Sequence, residues 1–145
     1  MDKNEISSLL QSRIPVLILE THEERRAINL LKNISISLGL PISTWSIASG
    51  MQRRDLNLDS STDLKEPGEV LAHIQTAGFD GIYILLDFHP YLKDPLHVRL
   101  LKELAMSFDN GQSKIILISH EIDTPEEISK FAHRFELRGP GKEEL

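Results

Sequence analysis

The sequence contains no cysteine in its 145 residues. That absence excludes disulfide frameworks, thiolate zinc sites and thiol nucleophiles together. Positive charge is not in excess either: 16 Lys and Arg stand against 22 Asp and Glu, a net charge of −6. A protein that grips a phosphate backbone needs a basic face, so nucleic acid is not an expected partner. No apolar run approaches the ~20 residues of a membrane-crossing helix, so no membrane partner is expected. The start, Met1-Asp2-Lys3-Asn4-Glu5, lacks the basic and then apolar layout of a signal peptide. These absences together point to a cytoplasmic protein. There is no internal repeat and no low-complexity segment.

What is present suits a folded core. Hydrophobic residues make up 40% and charged residues 26%, a globular balance. A chain of this length buries roughly 68–70% of its unfolded surface, enough for one self-sufficient domain. The chain is organised around Gly81-Ile82-Tyr83-Ile84-Leu85-Leu86-Asp87-Phe88-His89. Its short apolar run after a glycine reads as a strand buried on both faces, with Asp87 at its carboxyl end. In open parallel sheets, ligands bind at that edge.

Other elements follow in order. Asn4 to Arg13 has helical spacing, and Ile14 to Leu19 reads as a strand with Pro15 near its start. Thr21-His22-Glu23-Glu24 has the form of a capping box, with Thr21 as N-cap. The helix behind it places Ala27, Leu30, Leu31, Ile34 and Leu38 on one face and ends at Gly39. Ile42 to Ile47 is a second strand. Ala48 to Glu66 has no clear period and reads as a long loop, mobile or a docking surface. Pro67 opens a helix that ends at Gly78. Asp94-Pro95 caps a helix running to Phe108, Asn110-Gly111 marks a turn, and Lys114 to Ser119 is a buried strand. Thr124-Pro125-Glu126-Glu127 is a second capping box before a short helix with Ile128 and Phe131. Phe135-Glu136-Leu137 is a fifth, weaker strand. Strands alternating with helices mean right-handed crossovers and a mainly parallel sheet covered on both faces.

The corners between these elements carry the candidate chemistry. The acidic strand ending in Asp87 is the pattern with which P-loop ATPases hold Mg²⁺. Such a site also needs G-x-x-x-x-G-K-[ST] after the first strand, to cradle and neutralise phosphates. Here that position reads Glu20-Thr21-His22-Glu23-Glu24, without glycine or lysine, and its carboxylates repel a triphosphate. Gly139-Pro140-Gly141-Lys142 lies after the last strand with the wrong spacing. Phe88 stands where active enzymes of the AAA type carry a water-activating Glu. Glu20, Thr21, Asp87, His89, Ser119 and His120 all fall at strand ends and would share one sheet edge. Their spacings match no dedicated metal site, so no metal, no cofactor and no catalytic residue are assigned. Glu20, Asp87 and Ser119 also echo a receiver domain, but Leu137-Arg138 ends the fifth strand where the receiver lysine belongs.

Several segments in order carry a family resemblance. They are Arg13 to Thr21 with Glu23-Glu24, then Thr44-Trp45-Ser46, Pro67 to Ile74 and Leu85-Leu86-Asp87-Phe88-His89-Pro90-Tyr91-Leu92. Arg99-Leu100-Leu101, Ile116 to Ser119 and Pro125-Glu126-Glu127 complete the set. Across nearly its whole length the chain resembles the N-terminal region of bacterial and plastid (ycf-type) AAA-family ATPases. His120 departs from the proline of that pattern, which affects one local turn. The resemblance implies a P-loop-like α/β domain, degenerate in its Walker motif, ahead of a competent AAA module. Residues 1–138 are then one three-layer domain with a five-stranded, mainly parallel sheet in the order 5-1-4-3-2. A flavodoxin-like 2-1-3-4-5 is the alternative.

The function implied is a non-catalytic regulatory or assembly domain that neither binds nor hydrolyses ATP. The competing readings are a divergent nucleotide-binding ATPase domain and a degenerate receiver. ATP and Mg²⁺ are expected only in the AAA module, which is the expected partner, directly or through a homo-oligomer. The compartment is cytoplasm or plastid stroma. Residues 139–145 are expected to begin a further segment.

Overall fold

The computed structural model describes residues 3–55, 63–77, 80–108 and 113–137. Gly78, the Asn110-Gly111 turn, residues 56–62 of the expected loop, Arg138 and the 139–145 tail lie outside the described residues. The elements in chain order are α1 (Lys3–Leu10), β1 (Val16–Glu20), α2 (Glu24–Ser37), β2 (Ile42–Ser46), β3 (Gly50–Arg53) and α3 (Pro67–Ala77). They continue with β4 (Ile82–Leu86), a 3-10 turn (His89–Lys93), α4 (Pro95–Phe108), β5 (Lys114–Ser119), α5 (Glu126–Ser129) and β6 (Ala132–Phe135). Among the described residues, no helix is long and apolar enough to cross a membrane.

The sheet is mixed and has six strands in the order β3-β2-β4-β5-β1-β6. The expected count of five strands is corrected to six by β3, which adds itself antiparallel outside β2; the five expected strands keep the order 5-1-4-3-2 and the full order differs by this edge strand. It lies inside the stretch expected to be a loop. A three-residue turn, 47–49, brings the chain back: Ser46 Oγ accepts the Ser49 N–H at 3.1 Å, and Gly50 takes a φ of 71°. That left-handed position after a short turn is typical of a three-residue hairpin and suits glycine. The other pairings are parallel, and β1 lies between β5 and β6. The flavodoxin-like alternative, which pairs the first and third expected strands (β1 and β4), is not adopted.

Alternation along the strands divides the core into two layers. Val16, Ile18, Tyr83, Leu85, Ile115 and Leu117 face α3, α4 and α5. Leu17, Leu19, Ile84, Leu86, Ile116 and Ile118 face α1 and α2. The strand interiors read as continuous apolar runs because both faces are covered. Each such side chain contributes about 1.5–3 kcal/mol on burial.

Some boundaries differ from expectation. The last strand is Ala132–Phe135 instead of residues 135–137, and Phe131 lies in the turn before it. Neither capping box forms. The cap of α2 is Glu23, and Thr21 Oγ1 accepts the Glu23 N–H at 3.0 Å in a turn ahead of the helix. Pro125 occupies the cap of α5, while Thr124 Oγ1 accepts from Arg134 Nη2 at 3.1 Å. Asp94 does cap α4, its Oδ1 accepting the Leu96 N–H at 2.9 Å. The far end of α2 closes as a Schellman motif. Leu40 N–H donates to Ser35 O and Gly39 N–H to Ile36 O, with Gly39 at φ 72°.

Two side chains tie the layers to the sheet. Trp45 donates its Nε1–H to Leu64 O at 2.6 Å and packs edge-on against Phe88 and Tyr91, fixing the approach to α3. Lys114 is fully buried and donates to Ser12 O and Ile14 O, at 2.5 and 2.7 Å. It fastens the link between α1 and β1, and burial pushes its pKa down to about 8.

Candidate functional site

The carboxyl edge of the sheet gathers the residues that the sequence singles out, but divides them between two faces. β1 and β5 end side by side, and Thr21 N–H donates to Ser119 O at 2.8 Å. Asp87 follows β4 and donates its N–H to Ile118 O at 3.0 Å. Glu20, Thr21, Ser119 and Asp87 are therefore neighbours along one edge.

Glu20 turns toward β6. Its Oε2 accepts the Ile122 N–H at 2.8 Å, and its Oε1 meets Arg134 Nη1 at 2.7 Å. The Ile122 hydrogen bond, opposed in part by burial and aided by Arg134, holds its pKa below the usual value. A carboxylate so engaged is a structural tie. Ser119 is buried, and its Oγ has no hydrogen-bond partner among the described residues.

Asp87 turns the other way, toward α2. It is exposed and adopts a left-handed φ of 52°, which Asp tolerates better than most residues. Its carboxylate faces a groove of about 630 Å³ between α2 and the β2–β3 hairpin. Glu24, Arg25, Ile47, Thr44 and Arg54 also line it. Burial and then the charge of Asp87 raise the Glu24 pKa. Arg54 donates its Nε–H to Thr44 Oγ1 at 2.7 Å, stiffening the hairpin wall. The groove thus combines two carboxylates and two guanidinium groups around the apolar Ile28, Ile47 and Leu86.

His89 leaves the Asp87 corner. Its Nδ1 is buried with no hydrogen-bond partner among the described residues, and its ring meets His120 edge-on at 5.0 Å. His120 in turn stacks on His22 at 5.6 Å. Among the described residues, no three His, Asp or Glu side chains are gathered so as to hold a metal ion.

Sequence reasoning missed Arg134, Arg54 and Ile122. With the last strand read three residues late, Arg134 stood before it and carried no signal. Arg54 was hidden in a stretch read as a loop. Its neighbour Met51, buried in an otherwise polar run, was the one available clue.

A family model described as SpoVK-like AAA ATPase, N-terminal domain, matches residues 2–137. The AAA domain-containing protein ycf46 of Gracilaria tenuistipitata var. liui is 25% identical over 99% of this chain and 29% of that protein. Its counterparts in Pyropia yezoensis and Guillardia theta are each 26% identical, over 81% and 83% of this chain and 24% of theirs. The chain therefore spans roughly a quarter to three tenths of these relatives.

Proposed function

The chain belongs to the SpoVK-like AAA ATPase N-terminal domain family, and on that premise we propose that it is a non-catalytic regulatory or assembly domain. It neither binds nor hydrolyses ATP; nucleotide and Mg²⁺ belong to an AAA module elsewhere in the longer protein. The observation that carries this reading is the end of β1. A phosphate loop offers free backbone N–H groups and a lysine there. This chain offers Glu20, already tied to Ile122 N–H and Arg134, and then Thr21, whose hydroxyl is used by Glu23 N–H. Glu23 and Glu24 add negative charge where a triphosphate would approach.

The domain acts on its module through surface contact, in the cytoplasm or plastid stroma, without nucleic acid or membrane. The groove between α2 and the β2–β3 hairpin is the contact we favour, because Ala48, Ser49, Gly50, Gln52 and Arg54 of the 48–66 stretch line one of its walls. Calorimetric titration of the domain with Mg-ATP tests the first part: no heat of binding is expected. A dissociation constant of about 100 μM or tighter would overturn it. The second part is tested in the longer protein with Ile47→Glu, a change at a half-exposed position that the fold tolerates. ATPase rate or assembly should shift while the melting temperature of the domain holds.

A further inference from the structure

β6 is held less firmly than any strand in the middle of the sheet. Among the described residues it pairs with β1 alone; it is four residues long and buries fully only Phe135. β1 has a strand on each side and buries Val16, Leu17, Ile18 and Leu19. What secures β6 at its far end is a knot of polar contacts. Arg134 Nη1 meets Glu20 Oε1 at 2.7 Å, and its Nη2 donates to Ile122 O at 2.5 Å and to Thr124 Oγ1 at 3.1 Å. Glu20 Oε2 takes the Ile122 N–H from the other side. One guanidinium and one carboxylate thus fasten three segments: the end of β1, the 120–125 connection and β6. The connection also carries His120, which packs on His22 and His89. The knot is continuous with the corner after β4.

We propose that β6 and the 120–125 connection form one cooperative unit that undocks from β1 while the rest of the sheet stays folded, with Glu20–Arg134 as its latch. Opening is easiest where few apolar groups are buried and the polar contacts are open to water. The unit buries two apolar side chains, Ile122 and Phe135, and its latch is open to water, the Arg134 and Glu20 side chains being 46% and 40% exposed. When β6 leaves, Arg134 leaves Ile122 O and Thr124 with it, so the connection keeps only the bond from Ile122 N–H to Glu20 Oε2, whose ion-pair partner has gone. The docked and undocked forms give the domain a two-state element on the strand that leads into residue 138. This inference goes beyond the proposed function and does not depend on whether nucleotide binds.

Amide hydrogen exchange followed by NMR on the 145-residue chain tests it. The protected amides of Ala132–Phe135 and that of Ile122 should exchange as a group, about tenfold or more faster than Ile84 and Ile116. Arg134→Ala should speed that group about fivefold further and leave Ile84 and Ile116 unchanged. Glu20→Gln should act alike, and the double variant should add little to the larger single effect. Two results would overturn the proposal: β6 amides as slow as Ile116, or Arg134→Ala speeding every strand by the same factor.

Discussion

Asp55 joins the two strands of the hairpin at their open end. Its Oδ1 accepts the Ile42 N–H at 3.2 Å and Arg53 Nε–H at 2.8 Å, and its Oδ2 accepts Arg53 Nη2–H at 2.7 Å. Such a two-pronged pair favours the charged carboxylate. The pKa falls from an ordinary 3.8 to about 2, chiefly through the Arg53 bonds and against the cost of burial. A lowered carboxylate pKa stabilises the fold above the unfolded value. That contribution is fully present above pH 3.8 and drains away as pH falls toward about 2. It amounts to on the order of 2 kcal/mol. Denaturant melts of the parent and Asp55→Asn across this window should show the parent losing its advantage on acidification. Equal pH slopes in the two proteins would contradict this account. Nothing in the sequence marks Asp55, because its main partner, Arg53, lies on a strand that the sequence does not announce.

At the scale of the element, the start of α2 shows where local rules stop. Thr-x-x-Glu fits a capping box, yet the helix begins later and Glu23 sits at its cap. The chain must first leave β1, with Thr21 N–H bound to Ser119 O, and that backbone bond sets the geometry. Thr21 Oγ1 therefore supports an exposed turn and not the helix itself. Thr21→Ala should cost about 0.5 kcal/mol or less, the low end of the range for a true cap. A loss of ~2 kcal/mol in the denaturant midpoint would show that the hydroxyl carries the helix after all. Helices and central strands were legible because periodicity and apolar runs reflect burial directly. Ile82–Leu86 and Lys114–Ser119 are found where the pattern puts them. The edge strands were less so: β6 is expected three residues late and β3 is not expected at all. β3 and β6 bury one face in part, so their patterns are faint, and their positions are set by pairing partners distant in sequence.

The two apolar layers share one sheet, so neither can melt without exposing the other. The domain should therefore unfold in a single cooperative step. Trp45, the only tryptophan, reports from one layer, and far-ultraviolet circular dichroism reports from all helices. Their urea transitions should coincide, and separated midpoints would mean the layers are independent. The three-layer architecture was legible at this scale because alternation of strands and helices limits the topologies. The candidate site was legible only as a list of corner residues. That they split between the two faces, with Asp87 toward α2 and Glu20 toward β6, depends on side-chain directions that spacing alone does not give. The short outer strands have one more consequence. Both edges of the sheet are brief and carry cations, Arg53 on one and Arg134 on the other, which discourages sheet-to-sheet polymerisation. Beneath β6 lies Val16-Leu17-Ile18-Leu19, an apolar run charged only at its end by Glu20. In the undocked form proposed above that edge would be bare, an apolar strand open to pairing with another chain, and Arg134 would guard it by keeping β6 in place.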